Sequence, residues 1–189
     1  MRLFMIPFAV VVALTGCGSD GVESDEDAKR AYEGLDDSID KAITLGFQGF
    51  NAATNANIDP QTTSGAETGT LTVSGQVDQG ESANKTMNLT EELEEYSDDG
   101  ELTYDTPGSL PVLTMKLAMI PTGTVDGTLN GDFEMSGELE GMVTLSITFD
   151  GQLQPSASDP DKVERKPGTT HITGTASSGD VEYVVDVTR

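Results

Sequence analysis

Val125 to Gly141 reads VDGTLNGDFEMSGELEG. Every odd position is apolar or glycine (Val125, Gly127, Leu129, Gly131, Phe133, Met135, Gly137, Leu139, Gly141), and every even position from Asp126 to Glu140 is polar. Side chains of a strand alternate faces with period two, so the stretch specifies one long strand with a buried face and a wet, acidic face. Asn130-Gly131 inside it is a strong hairpin dipeptide. Folding back there would set Leu129 against Asp132 and Thr128 against Phe133, so the intact alternation argues for a continuous strand.

The same alternation extends on both sides. Leu113, Met115, Leu117 and Met119 precede the long strand, and Val143, Leu145, Ile147, Phe149 and Leu153 follow it. Two three-residue segments ending in glycine, Pro121-Thr122-Gly123 and Leu139-Glu140-Gly141, suit hairpin loops built on a type I turn. They predict Met119 opposite Val125, Leu117 opposite Gly127 and Met115 opposite Leu129. On the other side they predict Met135 opposite Leu145, Phe133 opposite Ile147 and Leu129 opposite Gly151. Further strands are read at Thr70–Val77, at Leu102–Tyr104 and in a C-terminal hairpin, whose Ser178-Gly179 turn would pair Ala176 with Val181 and Ile172 with Val185. Ala83–Ser97 fits a helix through Leu89, Leu93 and Tyr96 and a strand through Met87, Leu89 and Leu93; with sheet on both sides it is read as a strand. Asn51–Ala66 and Gln154–Pro167, polar and interrupted by prolines, read as loops.

Before the sheet, Ser24 and Asp25 are capping residues, and Asp25, Glu26 and Asp27 favour a helix N-terminus. Ala28, Ala31, Tyr32, Leu35, Ile39, Ala42, Ile43, Phe47 and Phe50 then recur at three- and four-residue spacing, an amphipathic helix over about 25–50. Its other face (Lys29, Arg30, Glu33, Asp36, Asp37, Asp40, Lys41) reads as solvated. The fold expected is α+β: a twisted antiparallel β-meander of about six to eight strands over 69–188, an open sheet or half-barrel, packed on one N-terminal amphipathic helix. Residues 25–189 form a single domain.

Thirty-three acidic residues against ten basic ones give a formal charge of −23. That charge repels phosphate backbones and excludes nucleic acid as a partner.

Met1 to Leu14, MRLFMIPFAVVVAL, is a basic residue followed by an apolar run too short to span a bilayer permanently, the pattern of an export signal. It ends in Leu14-Thr15-Gly16-Cys17, which resembles the lipobox of bacterial lipoproteins. The resemblance implies a signal peptide at 1–16, cleavage before Cys17, acylation of Cys17 and a lipid-anchored place in the cell envelope. Gly18 after the cysteine implies the outer membrane if the source has two membranes. Residues 17–24 then form an acylated tether with a reach of about 25 Å, and the membrane is the one partner named. Removing 1–16, whose charged side chain is Arg2, leaves the chain at about −24, so the body is expected to float off the headgroups.

Little in the chain points to catalysis. Cys17 is the single cysteine, which excludes an intramolecular disulfide, and His171 is the single histidine. His171 has the opposite parity to Ile172 and reads as a surface side chain. No G-x-S-x-G, H-E-x-x-H, C-x-x-C or phosphate-binding glycine loop occurs. Glu91, Glu92, Glu94, Glu95, Asp98, Asp99 and Glu101 put seven carboxylates in eleven residues, without the ligand spacing of a calcium loop; they read as a solvated edge. The chain is therefore expected to be no enzyme and to carry no cofactor or metal. It reads as a membrane-anchored acidic lipoprotein with a structural or interaction role and an unidentified protein partner. The alternative is a carrier holding a hydrophobic ligand between helix and sheet, by fold-level analogy to envelope lipoprotein carriers.

Overall fold

The structure, a computed structural model, describes residues 19–78, 83–157 and 159–189. A short β1 (Ser19–Asp20) leads into α1 (Asp25–Glu33) and α2 (Asp36–Ala52). The remaining elements are strands: β2 (Asn57–Ser64), β3 (Thr68–Val77), β4 (Lys85–Ser97), β5 (Leu102–Asp105), β6 (Val112–Ala118), β7 (Thr124–Gly137), β8 (Leu139–Pro155), β9 (Val163–Arg165), β10 (His171–Ser178) and β11 (Val181–Thr188). The protein is α+β, an antiparallel sheet that curls partway to a ring and packs on a bent N-terminal helix.

The sheet runs β11-β10-β8-β7-β5-β4-β3-β2. β5 and β6 occupy one lane between β4 and β7: Tyr104 pairs with Tyr96 and Met135, and Leu113 with Leu89 and Leu129. The lane is interrupted between Asp105 and Val112, where Pro107, Gly108 and Pro111 deny regular pairing. One inner row, Gly75-Leu89-Leu113-Leu129-Ile147-Gly174-Val185, crosses seven strands in register. All of its non-glycine members are buried. β7 is continuous through Asn130-Gly131, and Phe133 and Ile147 share the buried face.

Parity is as expected, whereas the pairs differ by even steps. Leu117 faces Val125 and Met115 faces Gly127, two residues from the expected register, because the β6–β7 connection takes five residues, Met119–Gly123. Met119, with φ +54, leaves the inner face and is 66% exposed. In the β7–β8 hairpin Phe133 faces Val143 and Leu129 faces Ile147, four residues from the expected pairs. Here the chain turns at Glu138, whose N–H is held by the Glu101 carbonyl, instead of at Glu140. The last hairpin turns at Gly179-Asp180, with Gly179 at φ +72, so Ala176 meets Tyr183 and Ile172 meets Val187.

Two segments expected as loops contain strands. β2 lies within Asn51–Ala66 as an edge strand with a bulge between Ile58 and Gln61 around Pro60; it buries Ile58. β9 lies within Gln154–Pro167 and pairs with the end of β8. The helix, expected as one piece, bends at Gly34-Leu35. The bend has a packing cause: a Cβ at Gly34 would stand 2.4 Å from the Tyr104 hydroxyl, which donates to the Ala31 carbonyl at 2.8 Å. The helix thus folds around Tyr104, with α1 against β8, β10 and β11 and α2 against β2, β3, β4 and β9.

Candidate functional site

Leu14, Thr15, Gly16 and Cys17, read as a lipobox with Cys17 as the residue expected to be acylated, lie outside the described residues. The segment after them does not. Ser19 and Asp20 pair in parallel with Leu139 and Glu140 at the start of β8. Gly21 then turns at φ +87, where a side chain is disfavoured and a Cβ would stand 2.7 Å from Ser178 Oγ. The Val22 N–H donates to Ser178 Oγ at 3.0 Å, and that hydroxyl donates to the Met142 carbonyl at 2.8 Å. Val22 is 2% exposed. The stretch read as free tether is therefore seated on the domain from Ser19 onward, at the end formed by the β7–β8 and β10–β11 turns.

Two arginines tie the helix to the sheet, and the sequence reading missed both ties. Arg165 of β9 is 6% exposed. Its Nη1 reaches Asp36 Oδ1 at 2.9 Å and its Nη2 reaches Asp40 Oδ2 at 2.9 Å and the Asp36 carbonyl at 2.7 Å; its backbone N–H donates to Asp40 Oδ1 at 2.8 Å. Burial opposes the charged guanidinium, yet Asp40 and Asp36 together outweigh it and raise its pKa. Tyr32 donates to Asp36 Oδ1, and burial followed by the Asp36 charge raises the phenol pKa. Asp36 and Asp40, read as solvated, are one helical turn apart and face this arginine. At the other end Arg30 of α1 bonds Glu138 Oε2 at 2.8 Å, Asp99 Oδ2 at 2.8 Å and Glu101 Oε2 at 3.3 Å.

The acidic run divides by what each carboxylate touches. Asp98 accepts from Lys41, from Tyr96 and from the Ala66 N–H. Asp99 accepts from the N–H groups of Glu101 and Leu102; burial pushes its pKa up, but the Leu102 and Glu101 hydrogen bonds and Arg30 outweigh burial and lower it. Glu92, Glu94 and Glu95 are exposed. Glu91 is not: it is fully buried, neither carboxyl oxygen has a hydrogen-bond partner, and burial pushes its pKa up to about 7. Its parity with Leu89 and Leu93 was the available signal. No group of three or more metal-ligating side chains occurs among the described residues. His171 is on the exposed face, its Nε2 3.0 Å from Asp186 Oδ1.

The depressions described are superficial. The one between α2, β2 and the β8–β9 loop, about 420 Å³, is lined by Lys41, Thr44, Gln48, Thr63, Lys162 and Glu164 among others. Among the described residues no helix is long and apolar enough to cross a membrane. Comparison of the chain with protein-family models, with curated proteins and with solved structures finds no match.

Proposed function

We propose that the protein is a lipid-anchored, acidic lipoprotein of the cell envelope whose domain has a structural or interaction role. The observation that carries the reading is the apolar leader ending in Leu14-Thr15-Gly16-Cys17. A role other than carrying an apolar ligand is supported by the interior: Tyr32, Tyr96, Tyr104, Phe133 and Phe149 are fully buried and occupy the space between helix and sheet with the chain's own side chains. The sequence carries no catalytic motif, and its single histidine, His171, lies on the exposed face beside Asp186, which supports a non-enzymatic role.

The test is mass spectrometry of the N-terminal peptide of the membrane-associated protein, with a Cys17→Ser variant beside it. The expected mature chain begins at an acylated Cys17, and the variant is unprocessed or released. A variant still processed and retained in the membrane fraction at the wild-type level overturns the proposal.

A further inference from the structure

The seating of Ser19–Val22 gives an anchored domain a direction. β1 runs parallel to β8, and β8 begins at the β7–β8 turn, so the chain enters the domain from that end. Val22, buried and hydrogen-bonded to Ser178, fixes the entry point. Counted from Ser19, an acyl group on Cys17 is two residues away, a span of at most about 7 Å, compared with about 25 Å if the whole of 17–24 were free. At that distance one end of the domain must meet the bilayer surface.

The end concerned is the rim around a depression of about 480 Å³ lined by Gly21, Glu140, Gly141, Met142, Ser178 and Gly179. It presents Met142, 46% exposed, and beside the turn Val181, 53% exposed. Apolar side chains that cost free energy in water gain at the headgroup boundary. The same rim carries Glu138, Glu140, Asp180 and Glu182, which anionic headgroups repel and zwitterionic ones tolerate. The opposite end, at the exposed Met119, is separated from it by the length of β7, roughly 45 Å of strand.

We propose that the rim formed by the β7–β8 and β10–β11 turns is the membrane-facing surface, held against a zwitterionic bilayer by the seating of Gly21 and Val22 on Ser178. This rests on the reading of Cys17 as the lipid anchor. The domain stands on the membrane at this rim, with the Met119 end outward.

The test uses the full chain, purified lipidated and placed in phosphatidylcholine vesicles. Because Cys17 is occupied by lipid, Met142→Cys, Val181→Cys and Met119→Cys each offer one thiol for a fluorophore, read against a quencher attached to the lipid. Several-fold stronger quenching at positions 142 and 181 than at 119 is the expected result. A Gly21→Val variant, which cannot keep φ +87 or the Ser178 contact, is expected to bring the two ends to the same quenching while remaining in the membrane fraction. Equal quenching at both ends of the unaltered chain overturns the proposal and leaves the anchor standing. A missing acyl mass on Cys17 overturns both, and the mass measurement distinguishes that outcome from a failure of orientation alone.

Discussion

Glu91 provides the sharpest test of the core. It occupies an inward position of β4 between Leu89 and Leu93, opposite Val73, where β4 faces the interruption between β5 and β6 and its N–H bonds the Pro111 carbonyl. With no partner for either oxygen, burial disfavours its charged form and raises the pKa from 4.5 to about 7. The folded state therefore holds a proton that the unfolded state has lost between those values, and stability falls as pH rises through that window. Below the lower value both states are protonated and the effect vanishes. Above the upper one both are ionised and the full cost is felt, about 3 kcal/mol at 1.36 kcal/mol per pKa unit.

Glu91→Leu removes this cost. Relative to wild type, its gain in stability should grow by about 3 kcal/mol between about pH 4 and about pH 8.5, or by roughly 6–12 °C in Tm for a domain of this size. The hydrophobic contribution of the leucine is the same at both ends of the range. The self-repulsion of the other carboxylates changes with pH in both proteins and cancels in the difference. Thermal unfolding followed by circular dichroism at four or more pH values is sufficient. A difference between variant and wild type that stays flat with pH would refute the reasoning, since it would mean that the carboxylate reaches water or a partner in the folded state.

Three further perturbations probe the packing. Arg165→Ala leaves Asp36 and part of Asp40 without their cation and should cost about 3–5 kcal/mol in urea unfolding; a loss under about 1 kcal/mol would mean that β9 is not held by this network. Gly34→Ala brings a methyl to 2.4 Å from the Tyr104 hydroxyl and should destabilise by about 1–3 kcal/mol, while Tyr104→Phe, which loses one buried hydrogen bond, should cost about 1 kcal/mol. Leu35→Asp puts a carboxylate into the fully buried junction of α1 and α2 and should cost several kcal/mol; an unchanged Tm would show that the helix does not depend on the sheet.

The helix stripe, the odd-numbered apolar face and the sheet strands from β3 onward, apart from β9, could be read from the sequence because burial imposes a period, and a period is local. The pairs could not. A slip of two or four residues keeps every apolar side chain on the same face, so the pattern that specifies parity is blind to it. The choice is made at Met119, which leaves the strand, and at Glu138, which Glu101 captures. β2 escaped because an edge strand burying Ile58 leaves little alternation to detect. The polar ties are less visible still, since Arg165 meets Asp36 across 129 positions and Val22 meets Ser178 across 156. In a stretch such as GSDGVES, composition argues for a flexible leash. A single buried valine and one positive-φ glycine instead seat Ser19–Val22 against β8 and Ser178, and under the anchoring proposed at Cys17 this seating is what gives the domain a defined face toward a bilayer.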